Sequence, residues 1–182
     1  MIYVNSIIMV KTKFKYKFLI KLFFISLLFF SSYPLAAQSL PNLSLIKLEK
    51  ASDYKAASPF ALQTALYLLS TPYDIKNEDR SKGLEFLVKW MTGTPDHSFV
   101  INDVESKITK GDQEILGLYL AALTRYTLEN KEAAKDINTL KLNAVIILLN
   151  YVENKNNNFS MTKQLKKLSA ARAKGELEKF LQ

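Results

Sequence analysis

In residues 113–130 apolar side chains return every three or four positions: Leu116, Tyr119, Leu120, Leu123 and Tyr126. That interval places all five on one side of a 3.6-residue helix, and the side is too apolar to face water. Asp112 stands just before it as an N-cap. Gly117 costs about 1 kcal/mol of propensity mid-helix, so it predicts the close approach of another helix as compensation.

Four more segments share this period. Ser58 and Pro59 read as an N-cap and a first helical residue, with Leu62, Ala65, Leu66 and Leu69 on one face and Pro72 as the stop. Asn77 caps a second helix over residues 79–92, striped by Leu84, Leu87, Val88 and Met91, with Gly93 as a left-handed C-terminal residue. A further helix over residues 138–152 carries Leu142, Val145, Ile146, Leu149 and Val152. Only Lys141, Asn143 and Asn150 break its apolar surface, so it is expected at the centre. A weaker stripe of Met161, Leu165, Leu168 and Ala171 lies in a basic C-terminal helix over 161–182, interrupted by Gly175. Phe99 to Ile101 favours extended chain, but one strand makes no sheet, so residues 98–108 read as a loop and a short helix.

The fold class is therefore all-α: an irregular or orthogonal bundle of about five helices, starting near residues 59, 79, 113, 138 and 161. The spacing is too uneven for a repeat array. The expected core comprises Leu66, Leu69, Leu87, Met91, Leu116, Leu120, Leu123, Val145, Ile146 and Leu149.

The N-terminal segment follows a different logic. Lys11, Lys13, Lys15, Lys17 and Lys21 precede a short apolar run over residues 22–30, then Pro34 and the small residues Ala36 and Ala37. This is the order of a secretory signal peptide, with cleavage after Ala37 and translation starting at Met1 or Met9. The apolar run is shorter than the roughly 20 residues that cross a bilayer. Residues 1–37 thus read as a signal peptide, 38–57 as an extended lead-in, and 58–182 as one helical domain in an exported protein, periplasmic or extracellular. Without residues 1–37 the net charge falls from +8 to +3. The remainder divides into a nearly neutral body and a tail, 155–182, with seven basic and two acidic side chains. A body so close to neutral does not read as a nucleic-acid binder.

The chain has no cysteine and a single histidine, which excludes a disulfide, a thiolate nucleophile and any cysteine-based zinc or iron–sulfur site. Nothing calls for a metal or another cofactor. Glu85, Asp103, Glu105 and Glu114 are candidates for a carboxylate pair of the kind that cleaves glycans, which would make the chain a small hydrolase of a cell-wall or glycan substrate. Binding surfaces are the stronger expectation. Trp90, Thr94, Asp96 and His97 form the most chemically mixed stretch, and Tyr119 and Tyr126 a second. Lys163, Lys166 and Lys167, with Arg172 and Lys174, make the last helix basic enough for weak contact with anionic lipid or polymer at a membrane periphery.

The segments 89–96 (KWMTGTPD), 116–130 (LGLYLAALTRYTLEN) and 141–153 (KLNAVIILLNYVE) together resemble a family of small exported all-helical proteins of Bacteroidetes-type bacteria with no assigned function. The resemblance covers most of residues 58–181. It implies export and carries over no catalytic residue. The functional expectation is a binding or structural module of the cell envelope whose partner is an envelope protein, a peptide or a glycan.

Overall fold

A computed structural model describes residues 39–99 and 103–182, apart from the side chains of Asp103 and Val104. The signal segment lies outside the described residues. Seven α-helices follow in order: α1 (Ala51–Ser70), α2 (Glu78–Gly93), α3 (Asp103–Thr109), α4 (Gln113–Glu129), α5 (Ile137–Glu153), α6 (Lys163–Ala173) and α7 (Leu177–Leu181). Three short 3-10 turns join them, and the described residues contain no strand. None of these helices is long and apolar enough to cross a membrane.

The caps explain most boundaries. The Asn77 side chain accepts from the backbone N–H groups of Asp79 and Arg80, and Asp112 does the same for Glu114 and Ile115. Asp136 accepts from Thr139 N–H and Thr162 from Leu165 N–H. Each satisfies donors that a first helical turn leaves unpaired.

Three boundaries differ from the sequence reading. First, α1 begins at Ala51 and not at Pro59, so the lead-in is not extended through residue 57. The Asp53 carboxylate accepts from the backbone N–H groups of Glu49 and Lys50, which starts the helix about two turns before the proline. Second, Gly93 closes α2 without a left-handed backbone. It is glycine for space, because a Cβ there would lie 2.1 Å from the Tyr54 ring. Third, the basic C-terminal helix is two helices, since Gly175 adopts φ +71° and turns the chain between α6 and α7.

The centre is α4, not α5. Every residue from Gly117 to Thr124 is buried, and α4 packs against α1, α2, α3 and α5. Its most extensive partner is α1, which turns inward Ala57, Ala61, Thr64, Ala65 and Leu68 in place of the expected leucine face. Small side chains on both helices let the two backbones approach closely, and Leu62, Leu66 and Leu69 are left only partly buried. Gly117 has the expected reason: a Cβ there would meet the Leu84 side chain of α2 at 2.8 Å. Leu87, Met91, Leu120, Leu123, Val145 and Leu149 are buried as expected, while Leu116 and Ile146 pack at the edge of the core.

Candidate functional site

Two clusters of buried polar groups lie at the two ends of α2. At the N-terminal end the Arg80 side chain is buried at 7% exposure. Its guanidinium donates to the carbonyls of Leu68 and Thr71 and to Thr71 Oγ1, at 2.8–3.2 Å. It therefore satisfies the Leu68 carbonyl in the last turn of α1 and shares the Thr71 carbonyl just beyond it. The rings of Tyr73 and Tyr151 lie 5.3 and 5.9 Å from its central carbon. Tyr151 also donates its hydroxyl to Thr71 O at 2.8 Å, and Asn157 Nδ2 donates to Tyr151 O. Beside this cluster lies an apolar cavity of about 170 Å³ walled by Leu68, Leu84 and Leu118, with Asp74 and Glu114 at its rim. Burial and the neighbouring Glu114 carboxylate push the Tyr73 hydroxyl up to about 12, against the opposing pull of Arg80.

At the C-terminal end the chain leaves α2 through Thr94, whose backbone N–H donates to Trp90 O. Trp90 is fully buried, and its indole N–H donates to the Tyr54 carbonyl at 2.9 Å, which removes the cost of hiding that donor. His97 and Phe99 close a triangle with it, all three ring centroids lying 6.0–6.4 Å apart.

Two cavities share His97 and Ser98 as walls. One, about 380 Å³, is formed by Val88, Met91, Phe99 and Leu120, with Thr94 among them. The other, about 890 Å³, is lined by Thr127, Lys131, Asn138 and Lys141, with Asp96 and the Glu132–Lys135 ion pair along it. Thr94 and Thr127 are 8% and 4% exposed, and neither hydroxyl oxygen has a hydrogen-bond partner among the described residues. Burial holds the His97 imidazole below its ordinary pKa; nearby Asp96 opposes this and Lys131 adds to it.

Of the binding candidates read from the sequence, Thr94, Asp96 and His97 come together at this cleft. Trp90 and Tyr119 do not offer a surface: both are fully buried. Burial, reinforced by Glu105, raises the Tyr119 hydroxyl above the ordinary range. Tyr126 is half-buried, and the adjacent Arg125 pairs with Glu129 at 3.0 Å. Lys163, Lys166 and Lys167 project from α6 into solvent, far in sequence from the cleft. Arg172 instead ties α6 to α5 through Glu153 and Asn150.

The carboxylates considered for a glycan-cleaving pair lie in different surroundings. Such a pair needs one desolvated acid facing a second across a groove. Glu85 and Glu114 are exposed, Glu105 is buried next to Tyr119, and the Asp103 side chain is outside the description. Among the described residues no three histidine, cysteine or acidic side chains are grouped to hold a metal ion.

Thr127, Lys131 and Lys141 were missed as site residues, although one signal was visible. Lys141 is a lysine one turn into an otherwise apolar helix, and the structure buries it at 7% exposure. Comparison of the chain with protein-family models, curated proteins and solved structures finds no match.

Proposed function

We propose that the chain is an exported binding or structural module of the cell envelope, and that the cleft walled by His97 and Ser98 is its ligand site. The observation that carries this reading is the convergence of Thr94, Asp96 and His97 on two adjoining cavities that His97 and Ser98 wall in common. Residues of α2, α4 and α5 form the walls of the two cavities. The positive, apolar and then proline-and-alanine order of the first 37 residues supports delivery across the inner membrane.

Two measurements test the reading. Nuclear magnetic resonance of the labelled protein, titrated with the small-molecule fraction of envelope extract, should shift the His97, Ser98 and Lys131 amides together. No change at those positions overturns the ligand site. N-terminal sequencing of protein from fractionated cells should begin at Gln38, and a chain retained in the cytoplasm with its lysines intact overturns export.

A second reading rests on the exposed lysines of α6. Lys163, Lys166 and Lys167 belong to no ion pair among the described residues, which leaves their charge available to anionic lipid or polymer. Deleting the segment would also remove the buried Leu165, Leu168, Leu177 and Leu181. The triple reversal of the three lysines to glutamate is therefore the cleaner test. Unchanged sedimentation with anionic vesicles at physiological salt eliminates this reading.

A further inference from the structure

We infer that the cavity at the Arg80 end of α2 is a second ligand site, independent of the His97 cleft, and that it takes a small arylalkyl amine: one apolar ring inside and one cationic head at the mouth. The size is that of a ring. At about 170 Å³ the cavity is close to the roughly 150 Å³ apolar space that admits a benzene molecule. Leu68, Leu84 and Leu118 wall it, and Leu68 and Leu118 are buried. Gly117 lines it too, and a Cβ there would lie 2.8 Å from Leu84 Cδ2, so the glycine leaves both the leucine and the space in place. Asp74, Ile75, Gln113 and Glu114 on the same lining are exposed, so the cavity opens at the surface.

The mouth is negative. Asp74 and Glu114 belong to no ion pair among the described residues, which leaves both carboxylates available to a cation. The lining also holds one cation, Arg80, but its guanidinium is 7% exposed and donates to the Leu68 and Thr71 oxygens of α1 and the residue after it. At the Tyr73 hydroxyl, on the same wall, Glu114 outweighs Arg80, and Asp112 adds to the negative field. A ring placed against the leucines would leave its ammonium beside the two rim carboxylates, where the charges attract at partly exposed positions.

Three probes of one shape test this: 2-phenylethylamine, 2-phenylethanol and phenylacetate, each titrated into the full chain at pH 7 and followed by nuclear magnetic resonance. The amine should shift the Tyr73, Gln113 and Gly117 amides saturably and bind about fivefold more tightly than the alcohol, the size of one favourable charge contact. Phenylacetate should bind more weakly than either. Asp74→Asn combined with Glu114→Gln, both at exposed positions, should bring the amine down to the affinity of the alcohol and leave alcohol binding and the thermal melt unchanged. Equal affinity for amine and alcohol in the unaltered chain overturns the inference, and so does tightest binding of phenylacetate, which would show that Arg80 governs the mouth. Shifts confined to His97 and Ser98 would place the amine in the other cleft and overturn it as well. None of these three results removes the His97 cleft as a site.

Discussion

The two ends of α2 are about 24 Å apart, from sixteen residues at 1.5 Å each, and they treat buried polar groups in opposite ways. At the Arg80 end polar groups are paired across elements. The guanidinium serves the end of α1, Tyr151 of α5 donates to the same carbonyl, and Tyr73 N–H donates to Asn157 O at 2.7 Å. At the His97 end, Trp90 is satisfied but the Thr94 and Thr127 hydroxyls are not, and the neighbouring space is open. A satisfied buried network fixes one arrangement of the chain. Unsatisfied buried groups add nothing to the stability of the fold. The first end is a latch, and the second leaves buried hydroxyls unmatched.

The largest test of that contrast is Arg80→Met, which keeps the apolar stem but removes the charged donors. It should cost about 3 kcal/mol, since hydrogen bonds to a charged group contribute about 1.5–3 kcal/mol and their buried acceptors are left unmatched. A urea midpoint corresponding to less than about 1 kcal/mol would show that the latch is incidental. Next in size is Gly93→Ala. The new methyl would strike the Tyr54 ring, whose hydroxyl donates to Leu48 O at 3.2 Å, and overpacking of this kind costs about 1–3 kcal/mol. Tyr54→Leu in the same chain should recover part of the loss. At the open end the sign reverses: Thr127→Val should stabilise the unliganded protein by about 1 kcal/mol, because it removes a buried hydroxyl that has no partner. A loss of comparable size in the melt would mean that the hydroxyl is bonded after all, and the two ends would no longer differ in kind.

Local signals were readable where a residue acts on its immediate neighbours. Asn77 and Asp112 cap the helices expected of them, and the period of α4 brings Leu120 and Leu123 into the core. The all-helical class follows from those segments together. The orientation of α1 was not readable, because its leucines outweigh its alanines on any hydropathy scale. What decides is the closeness of α4: at a tight crossing Ala57, Ala61 and Ala65 fit where Leu62 and Leu66 would hold the backbones apart. Pro59 misled for a related reason. Proline is favoured at a first helical position, yet here the helix starts eight residues earlier under Asp53. The cleft was half legible. Thr94, Asp96 and His97 stand together in the chain, but Thr127, Lys131 and Lys141 join them only through the packing of α4 and α5. Trp90 looked like part of the surface turn, and no local pattern reveals that a carbonyl 36 residues earlier satisfies its indole.

The smallest effect concerns protons, and it separates the two ends by pH window. Burial is the main cause of the lowered His97 pKa, Lys131 contributes in the same direction, and Asp96 opposes them; Glu132, Lys135 and Lys141 are the other charged groups along the adjoining cavity. In the unfolded chain the imidazole takes its proton near its ordinary value of 6.5. As pH falls past that point the unfolded state binds more protons than the folded one, so stability declines with decreasing pH and levels off below the folded-state value. His97→Gln should flatten this slope, and a variant that keeps the full slope would show that another group is responsible. The Arg80 end should be silent in the same range. Tyr73, raised to about 12, remains protonated there, and it contributes only above pH 10, where the unfolded chain loses its proton first and stability falls. Arg80→Met should therefore lower the whole stability curve between pH 5 and 8 without changing its shape, whereas His97→Gln changes the shape with little effect on the plateau above pH 7.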